Sequence, residues 1–180
     1  DRLGDLFAAF SERRLVTLSQ DGLEDGLLWD MAEWYHLAGD RLPLEGSTFR
    51  DLHDQWYPII RREREYLESV ERAELDARPI PYPDEMMALD GAMINKDLVF
   101  RVFQRAGDIR DASGVMGNCI SGYAQEASED LVKLYWLEKH GSMYANIEVR
   151  NGWLRQLYGR RNMRLPEQEH HVVVAWLEEK

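Results

Sequence analysis

The stretch LVKLYWLEKHGSMYANIEVRNGWLRQLYG, residues 131–159, decides the fold because it alternates runs of strand-forming residues with turn residues. The three runs cover residues 131–139, 143–150 and 153–159. In the middle run, polar and apolar residues alternate from Tyr144 to Val149, which is the period of a strand with two different faces. His140-Gly141 and Asn151-Gly152 separate the runs, and an Asn-Gly pair favours a hairpin because both residues tolerate positive φ. The stretch therefore predicts a three-stranded antiparallel meander.

Other segments predict helices, since their apolar residues recur at helical spacing. These segments are residues 3–10, 23–38, 47–56, 59–77, 95–106, 117–127 and 167–179. One helix is expected to begin at Ser47-Thr48, and Pro58 is expected to kink or break it, because proline lacks the amide hydrogen and clashes with the preceding turn. In the last segment, the run Val172–Val174 leaves a strand as the alternative.

The order of these elements predicts an α+β fold. A helical N-terminal layer would precede a small three-stranded antiparallel sheet (meander) flanked by helices, which we place on one face. The segment RPIPYPDE has three prolines between residues 79 and 83, which favour a stiff, extended chain. We therefore predict a helical region at residues 1–78, a proline-rich connector at 79–94 and an α+β domain at 95–180.

The composition favours a folded cytoplasmic protein. Of the 180 residues, 44% are hydrophobic, which is ample apolar area for a core. Cys119 is the only cysteine, so the chain forms no internal disulfide, as expected in a reducing compartment. No run approaches the ~18 apolar residues that a bilayer span needs. We expect a cytoplasmic location and no membrane contact.

The common cofactor and metal motifs are missing. The chain contains no GxxxxGK[ST] or GxGxxG sequence and no GxSxG elbow. The adjacent His170 and His171 would point about 100° apart on a helix and do not suit a single ion. We therefore expect neither a cofactor nor a metal.

Charge is distributed unevenly along the chain. The net charge of −11 disfavours general nucleic-acid binding, yet residues 149–166 contain five arginines and no acid. The arginines are Arg150, Arg155, Arg160, Arg161 and Arg164, and Trp153 and Tyr158 lie between them. Arginine suits phosphate and aromatic rings offer stacking faces, so residues 150–164 predict contact with nucleic acid or another phosphate-bearing ligand. Alternatively, the arginines pair with acids of the N-terminal layer or protect a strand edge.

Three short sequence boxes follow one another in the C-terminal part. The first contains Met116, Cys119, Ile120, Tyr123 and Ala124, the second contains Ile147 and Glu148, and the third contains Gln156, Gly159 and Asn162. In this order and spacing, residues 110–180 resemble the PcfJ-like family. Asn146 departs from the pattern, because the family often has Thr there. The family is named after a protein of a conjugative-plasmid gene cluster, so the resemblance implies a plasmid, phage or other mobile-element context and no particular reaction.

Cys119 lies between glycines at the expected start of a helix. Helix amides would lower the pKa of a thiol there, which is how a nucleophilic cysteine is made, and His140, His170 and His171 are the candidate bases. Against this, free cysteine is among the most buried residue types, which favours a buried structural role.

Glu148 and Gln156 flank the Asn151-Gly152 turn and are expected to be cross-strand neighbours. A carboxylate beside an amide suits a polar ligand or a catalytic base. The alternative, which we favour, is that these positions lock a loop, with Asn162 as a cap and Gly159 at positive φ.

We therefore predict a binding or effector domain that contacts a phosphate-bearing ligand, nucleic acid or a protein partner through the arginine-rich hairpin. The alternative is an enzyme of transferase or hydrolase type with Cys119 as nucleophile or Glu148 as base. The candidate ligand-binding residues are Asn118, Tyr123, Arg155, Gln156, Arg160, Arg161 and Asn162. A third hypothesis gives the N-terminal helices a protein partner or a purely structural role.

Overall fold

The computed structural model describes residues 2–19 and 25–180. The chain divides into two compact units, residues 1–71 and residues 72–180. This division falls between residues 71 and 72. The domain boundaries at residues 78 and 94 stay a prediction. None of the helices among the described residues combines the length and the apolar character that crossing a bilayer requires.

The first unit is helical. Its helices are α1 (Arg2–Ala8), α2 (Glu12–Leu18), α3 (Asp25–Ala38) and most of α4 (Phe49–Ala77), with a 3₁₀-helix at Gly39–Arg41. The predicted helices at 3–10 and 23–38 are present, although the start of the second lies outside the described residues. Helix α2 was missed because it is short and only Leu18 is buried, so it shows little periodicity.

Helix α4 begins where the sequence predicts. The backbone N–H groups of Ser47 and Thr48 donate to Asp51 Oδ2 (3.1 and 3.2 Å), and the Asp51 N–H donates to Thr48 Oγ1 (3.1 Å). This reciprocal arrangement satisfies amides that the first turn leaves free.

Of the two outcomes predicted at Pro58, a kink or a break, the break is absent, since α4 continues through this residue. Trp56 and Ile60, on either side of the proline, are both buried in the core of the first unit. A break would remove one of these side chains from the core, and their burial offsets the cost of an interior proline, about 3 kcal/mol.

The second unit contains a four-stranded antiparallel sheet of order β1-β2-β3-β4. The strands are β1 (Leu98–Val102), β2 (Lys133–Lys139), β3 (Ser142–Arg150) and β4 (Trp153–Gly159). The helices are α5 (Asp84–Met87), α6 (Ala106–Met116), α7 (Ala124–Ser128) and α8 (Glu167–Glu178), with 3₁₀-helices at Ile120–Tyr123 and Arg160–Asn162. The predicted meander is present as β2, β3 and β4, and Asn151 and Gly152 form the expected hairpin turn at φ 52° and 76°.

The prediction of three strands is wrong, because the segment predicted as a helix at 95–106 contains β1. In β1, Leu98, Phe100 and Val102 are buried and alternate with half-buried residues, which is the period of a strand. The same segment also places Leu98 and Val102 four residues apart, which is why it resembled a helix. The pairing of β1 with β2, more than thirty residues away in sequence, selects the strand.

Helices cover both faces of the sheet, so the prediction of helices on one face is also wrong. Helix α8 packs through Val173 against the face that includes Leu137 and Ile147. The region from α6 to α7 packs against the other face, which includes Leu134. The four residues 145–148 of β3 are consequently all buried, as expected of a strand with both faces covered.

A polar contact attaches α8 to the sheet. Glu169 accepts hydrogen bonds from Lys139 Nζ (2.6 Å) and from the Tyr144 hydroxyl (2.5 Å). Burial, together with the hydrogen bond to Glu169, raises the pKa of Tyr144 to about 12. Burial by itself raises the pKa of the Glu169 carboxyl, but the two hydrogen bonds and the charge of Lys139 outweigh it, so this pKa lies below its usual range.

The two edges of the sheet differ. Residues 91–94 cover the outer edge of β1, with backbone hydrogen bonds from Gly91 N to Phe100 O (2.9 Å) and from Ile94 N to Leu98 O (2.9 Å). Within the described part of the chain, the outer edge of β4 is paired only at its end, where Gly159 N donates to Met163 O (2.8 Å). The fold therefore leaves one strand edge open beside the arginine-rich segment.

Candidate functional site

Residues from all three sequence boxes meet at a small polar cavity on the α6 side of the sheet. The register places Glu148 opposite Gln156 and Asn146 opposite Tyr158, which confirms the predicted neighbourhood of Glu148 and Gln156. The cavity has a volume of about 20 Å³. It is lined by Asn118, Ile120, Tyr123, Leu134, Asn146, Ile147, Glu148, Gln156, Tyr158 and Asn162.

The loop after α6 brings Asn118 to the cavity. Gly117 ends α6 with a left-handed conformation (φ 60°), which glycine adopts without strain. The hydroxyl of Ser113 then donates to the Asn118 carbonyl oxygen, and Asn118 Oδ1 accepts from Ile120 N (3.4 Å). These contacts hold the loop in the turn that begins the 3₁₀-helix at Ile120.

The loop after β4 brings Asn162 to the cavity from the other side. Arg161 and Asn162 both have positive φ (54° and 58°), whereas Gly159 has φ −79°, so the prediction of positive φ at Gly159 is wrong. A Cβ atom at Gly117 would lie 3.6 Å from Arg161 Cγ, so the two loops lie side by side. The side chain of Asn162 makes no hydrogen bond among the described residues, so its contribution to the loop is its conformation.

Glu148 is held by one arginine. Its Oε1 atom accepts from Arg150 Nε (2.6 Å), and Arg150 Nη2 also donates to Glu126 Oε2 (2.7 Å) on α7. The guanidinium lies over the ring of Tyr123, 5.3 Å from its centroid. The hydrogen bonds to Glu148 and Glu126 raise the pKa of Arg150. Arg150 is therefore neutralised inside the second unit.

Three buried polar atoms at the cavity have no hydrogen-bond partner among the described residues. They are Oδ1 and Nδ2 of Asn146 and Oε2 of Glu148, on side chains whose residues are each only 6% exposed. Buried polar groups in native proteins are nearly always hydrogen-bonded to protein, water or a ligand. The cavity therefore has hydrogen-bonding capacity that the protein itself leaves unused.

The other four arginines of residues 149–166 are exposed, and none of them has an ion pair among the described residues. They are Arg155, Arg160, Arg161 and Arg164. Arg160, Arg161 and Arg164 line an open cleft of about 900 Å³, whose other lining residues are Met143, Tyr144, Gly159, Met163, Leu165 and Pro166. No acidic residue lines this cleft, which we call the arginine cleft.

A second cleft of about 680 Å³, which we call the edge cleft, follows the open edge of β4 and shares Arg164 and Leu165 with the arginine cleft. Its other lining residues are Leu154, Arg155, Gln156, Leu157, Tyr158, Glu167 and His170. Gln156 and Tyr158 also line the polar cavity. The cavity and the two clefts are therefore neighbours in the second unit.

Cys119 is exposed and does not line the cavity. The expectation of a buried thiol is therefore wrong, because its neighbours Met116 and Ile120 occupy the buried positions. No histidine lines the cavity. The catalytic role of Cys119 stays a prediction. In the described ranges 2–19 and 25–180, no three His, Cys, Asp or Glu side chains are grouped to hold a metal ion.

The structure brings five predicted site residues to the cavity and adds two polar residues that were not predicted to line it. Asn118, Tyr123, Glu148, Gln156 and Asn162 are the predicted ones. The additional residues are Asn146 and Tyr158. A polar residue two positions before Glu148 in a central strand was a usable signal for Asn146, since both side chains must lie on the same face.

The comparison with protein families agrees with these boxes. The model of the family described as PcfJ-like protein matches residues 29–174. Comparisons with curated proteins and with solved structures gave no match. The family match begins well before the three boxes, includes all of them and covers most of the chain, so the chain belongs to the PcfJ-like family.

Proposed function

We propose that the protein binds single-stranded nucleic acid through the arginine cleft and the neighbouring edge of β4. The observation that carries this proposal is a cleft lined by three exposed arginines and no acid, on a chain whose net charge is −11. A local concentration of unpaired guanidinium groups on an acidic chain attracts phosphate and restricts binding to one region.

Aromatic residues at the two ends of β4 support a single strand over a duplex, with Trp153 at the hairpin and Tyr158 near the arginine cleft. Trp153, at the tip of the hairpin, is 73% exposed, and Tyr158 is half-buried between the edge cleft and the cavity. Exposed aromatic rings beside a cationic groove stack unpaired bases, which a duplex does not offer. In the loop after β4, Arg161 adopts a left-handed conformation, which costs about 1–3 kcal/mol. Such backbone strain is found most often at functional sites, which supports a binding role for this loop.

The family relationship supports a biological setting for this activity. We place the protein among cytoplasmic binding or effector domains of plasmids, phages or other mobile elements. A protein partner of the N-terminal helices stays a prediction, as does an enzyme that uses Cys119 or Glu148.

The test is fluorescence anisotropy with a labelled oligonucleotide of about 20 nucleotides, longer than a typical single-domain footprint. Changing Arg160, Arg161 and Arg164 to glutamine should weaken binding about 100-fold at about 0.1 M salt and lower the salt slope by about 2, since each phosphate contact on a single strand contributes a slope of about 0.7.

The matched control removes three exposed cations elsewhere in the second unit, Arg72, Arg78 and Lys96. This control variant has the same net charge as the cleft variant and should lose much less affinity. Equal losses in the two variants would show that only the overall charge matters, and would remove the arginine cleft as the binding site.

A further inference from the structure

We propose that the polar cavity recognises the Watson–Crick edge of one unpaired cytosine or adenine, whose exocyclic amino group enters the cavity. This inference rests on the proposed single-strand binding and deepens it by naming the base that the site prefers. It follows from the three unpartnered buried atoms, the size of the cavity and its position beside the clefts.

The unpartnered atoms define the ligand chemistry. Asn146 Oδ1 and Glu148 Oε2 are hydrogen-bond acceptors, and Asn146 Nδ2 is a donor. Asn146 and Glu148 lie two positions apart in β3 and therefore on the same face. Two acceptors and one donor at one site fit a ligand with an –NH₂ group beside a ring nitrogen that accepts a hydrogen bond.

Cytosine and adenine both have this arrangement on their Watson–Crick edge, which is available only in an unpaired base. Their amino hydrogens would be donated to Glu148 Oε2 and Asn146 Oδ1, and their ring nitrogen would accept from Asn146 Nδ2. Thymine and uracil have a carbonyl oxygen in place of the amino group. That oxygen would face the Glu148 carboxylate and repel it.

The volume of the cavity limits how far the base enters. A volume of about 20 Å³ holds one group of the size of a water molecule, because about 10–15 Å³ is the minimum for a water. The amino group fits inside and the ring as a whole does not, so the ring would stay at the mouth of the cavity with only its nitrogen turned towards Asn146 Nδ2. The ring would remain outside the cavity beside Gln156 and Asn162, which line it and are exposed.

The neighbouring residues prepare the site for this ligand. Arg150 occupies Oε1 of Glu148, which leaves Oε2 as the free atom of that carboxylate. Gln156 and Tyr158 line both the cavity and the edge cleft, which continues through Arg164 into the arginine cleft. A base at the cavity would thus lie next to the cleft that Arg155 and Arg164 line.

The test compares labelled oligonucleotides of one length, made only of dC, only of dA, only of dT or only of abasic sites. The wild-type protein should bind the dC and dA strands about 5- to 150-fold more tightly than the dT strand, the usual discrimination of a well-matched base contact. Asn146→Leu should bring the ratio of the dC and dT dissociation constants close to one.

Glu148→Gln keeps the size of the side chain and serves as the second variant. Its amide donates to a carbonyl oxygen, so the preference should move from dC towards dT. Equal wild-type affinities for dC and dT would overturn this inference and leave the arginine cleft standing. A wild-type preference that both variants retain would also overturn it. Absence of binding to every strand, the abasic one included, would overturn the proposed function together with this inference.

Discussion

Replacing Asn146 by leucine should stabilise the second unit, because it removes an amide that the fold buries without a partner. Asn146 is 6% exposed, and neither its oxygen nor its nitrogen has a hydrogen bond among the described residues. An uncompensated buried polar group costs about 1–3 kcal/mol in proteins, and leucine fills a similar volume with apolar atoms. The expected gain in the free energy of unfolding is therefore about 1–3 kcal/mol.

Amide hydrogen exchange of β3 is the appropriate assay, because it reports on the second unit separately from the first. Protection of the β3 amides should rise in the variant, by about tenfold for each 1.4 kcal/mol of added stability. Asn95→Leu is the matched control, since Asn95 Oδ1 accepts from Asp97 N (2.8 Å) and Leu98 N (2.9 Å). The control should destabilise the protein, by about 0.5–1.5 kcal/mol for each hydrogen bond lost.

The result that would refute the reasoning is a loss of protection in Asn146→Leu as large as in the control. It would show that Asn146 is already hydrogen-bonded in the free protein, for instance to an ordered water in the cavity. The free protein would then have no unused hydrogen-bonding capacity for a base to satisfy.

Three further predictions test the surroundings of the site. Arg150→Met should lower the thermal midpoint, because it leaves the buried Glu148 without its cation; an unchanged midpoint would contradict this role. The lowered pKa of Glu169 stabilises the fold above the unfolded pKa, and this stability is lost as the pH falls through the folded pKa. Glu169→Gln should therefore flatten the acid side of a plot of urea midpoint against pH, and an unaltered acid side would exclude this contribution. Cys119 should react with a thiol reagent in the native protein as rapidly as in urea; a faster, pH-shifted native reaction would instead favour the enzymatic alternative.

The parts of the fold that depend on local chemistry could be predicted from the sequence. Asn151-Gly152 specified the hairpin, and Ser47-Thr48 specified the start of α4, because turns and caps depend on a few adjacent residues. Strand β1 could not be separated from a helix in the same way. Its identity depends on pairing with β2, and its apolar residues fit both periods.

Most members of the site could be predicted from the sequence, and the unpartnered atoms of Asn146 could not. The boxes named Glu148, Gln156 and Asn162, and the structure places all three at one cavity. The unpartnered state of Asn146 depends on the cover that the loop after α6 provides, which no spacing within β3 reveals. The exposure of Cys119 depends similarly on which of its neighbours enter the core.

One irregularity in β4 explains why the third box faces the cavity. A regular two-residue hairpin that pairs Arg150 with Trp153 and Val149 with Leu154 would continue by pairing Glu148 with Arg155. Instead the register shifts between Glu148 and Val149, so Arg155 has no partner in β3 and Gln156 lies opposite Glu148.

Because side chains alternate along a strand, this one extra residue decides which face every later residue of β4 occupies. With it, Gln156 and Tyr158 lie at the polar cavity and Leu157 lies in the core beneath α8. Without it, Leu157 would face the cavity and the two polar residues would enter the core. The shift in register beside Arg155 thus assigns the polar residues of β4 to the site, and it leaves an arginine at the open edge where the proposed strand of nucleic acid would lie.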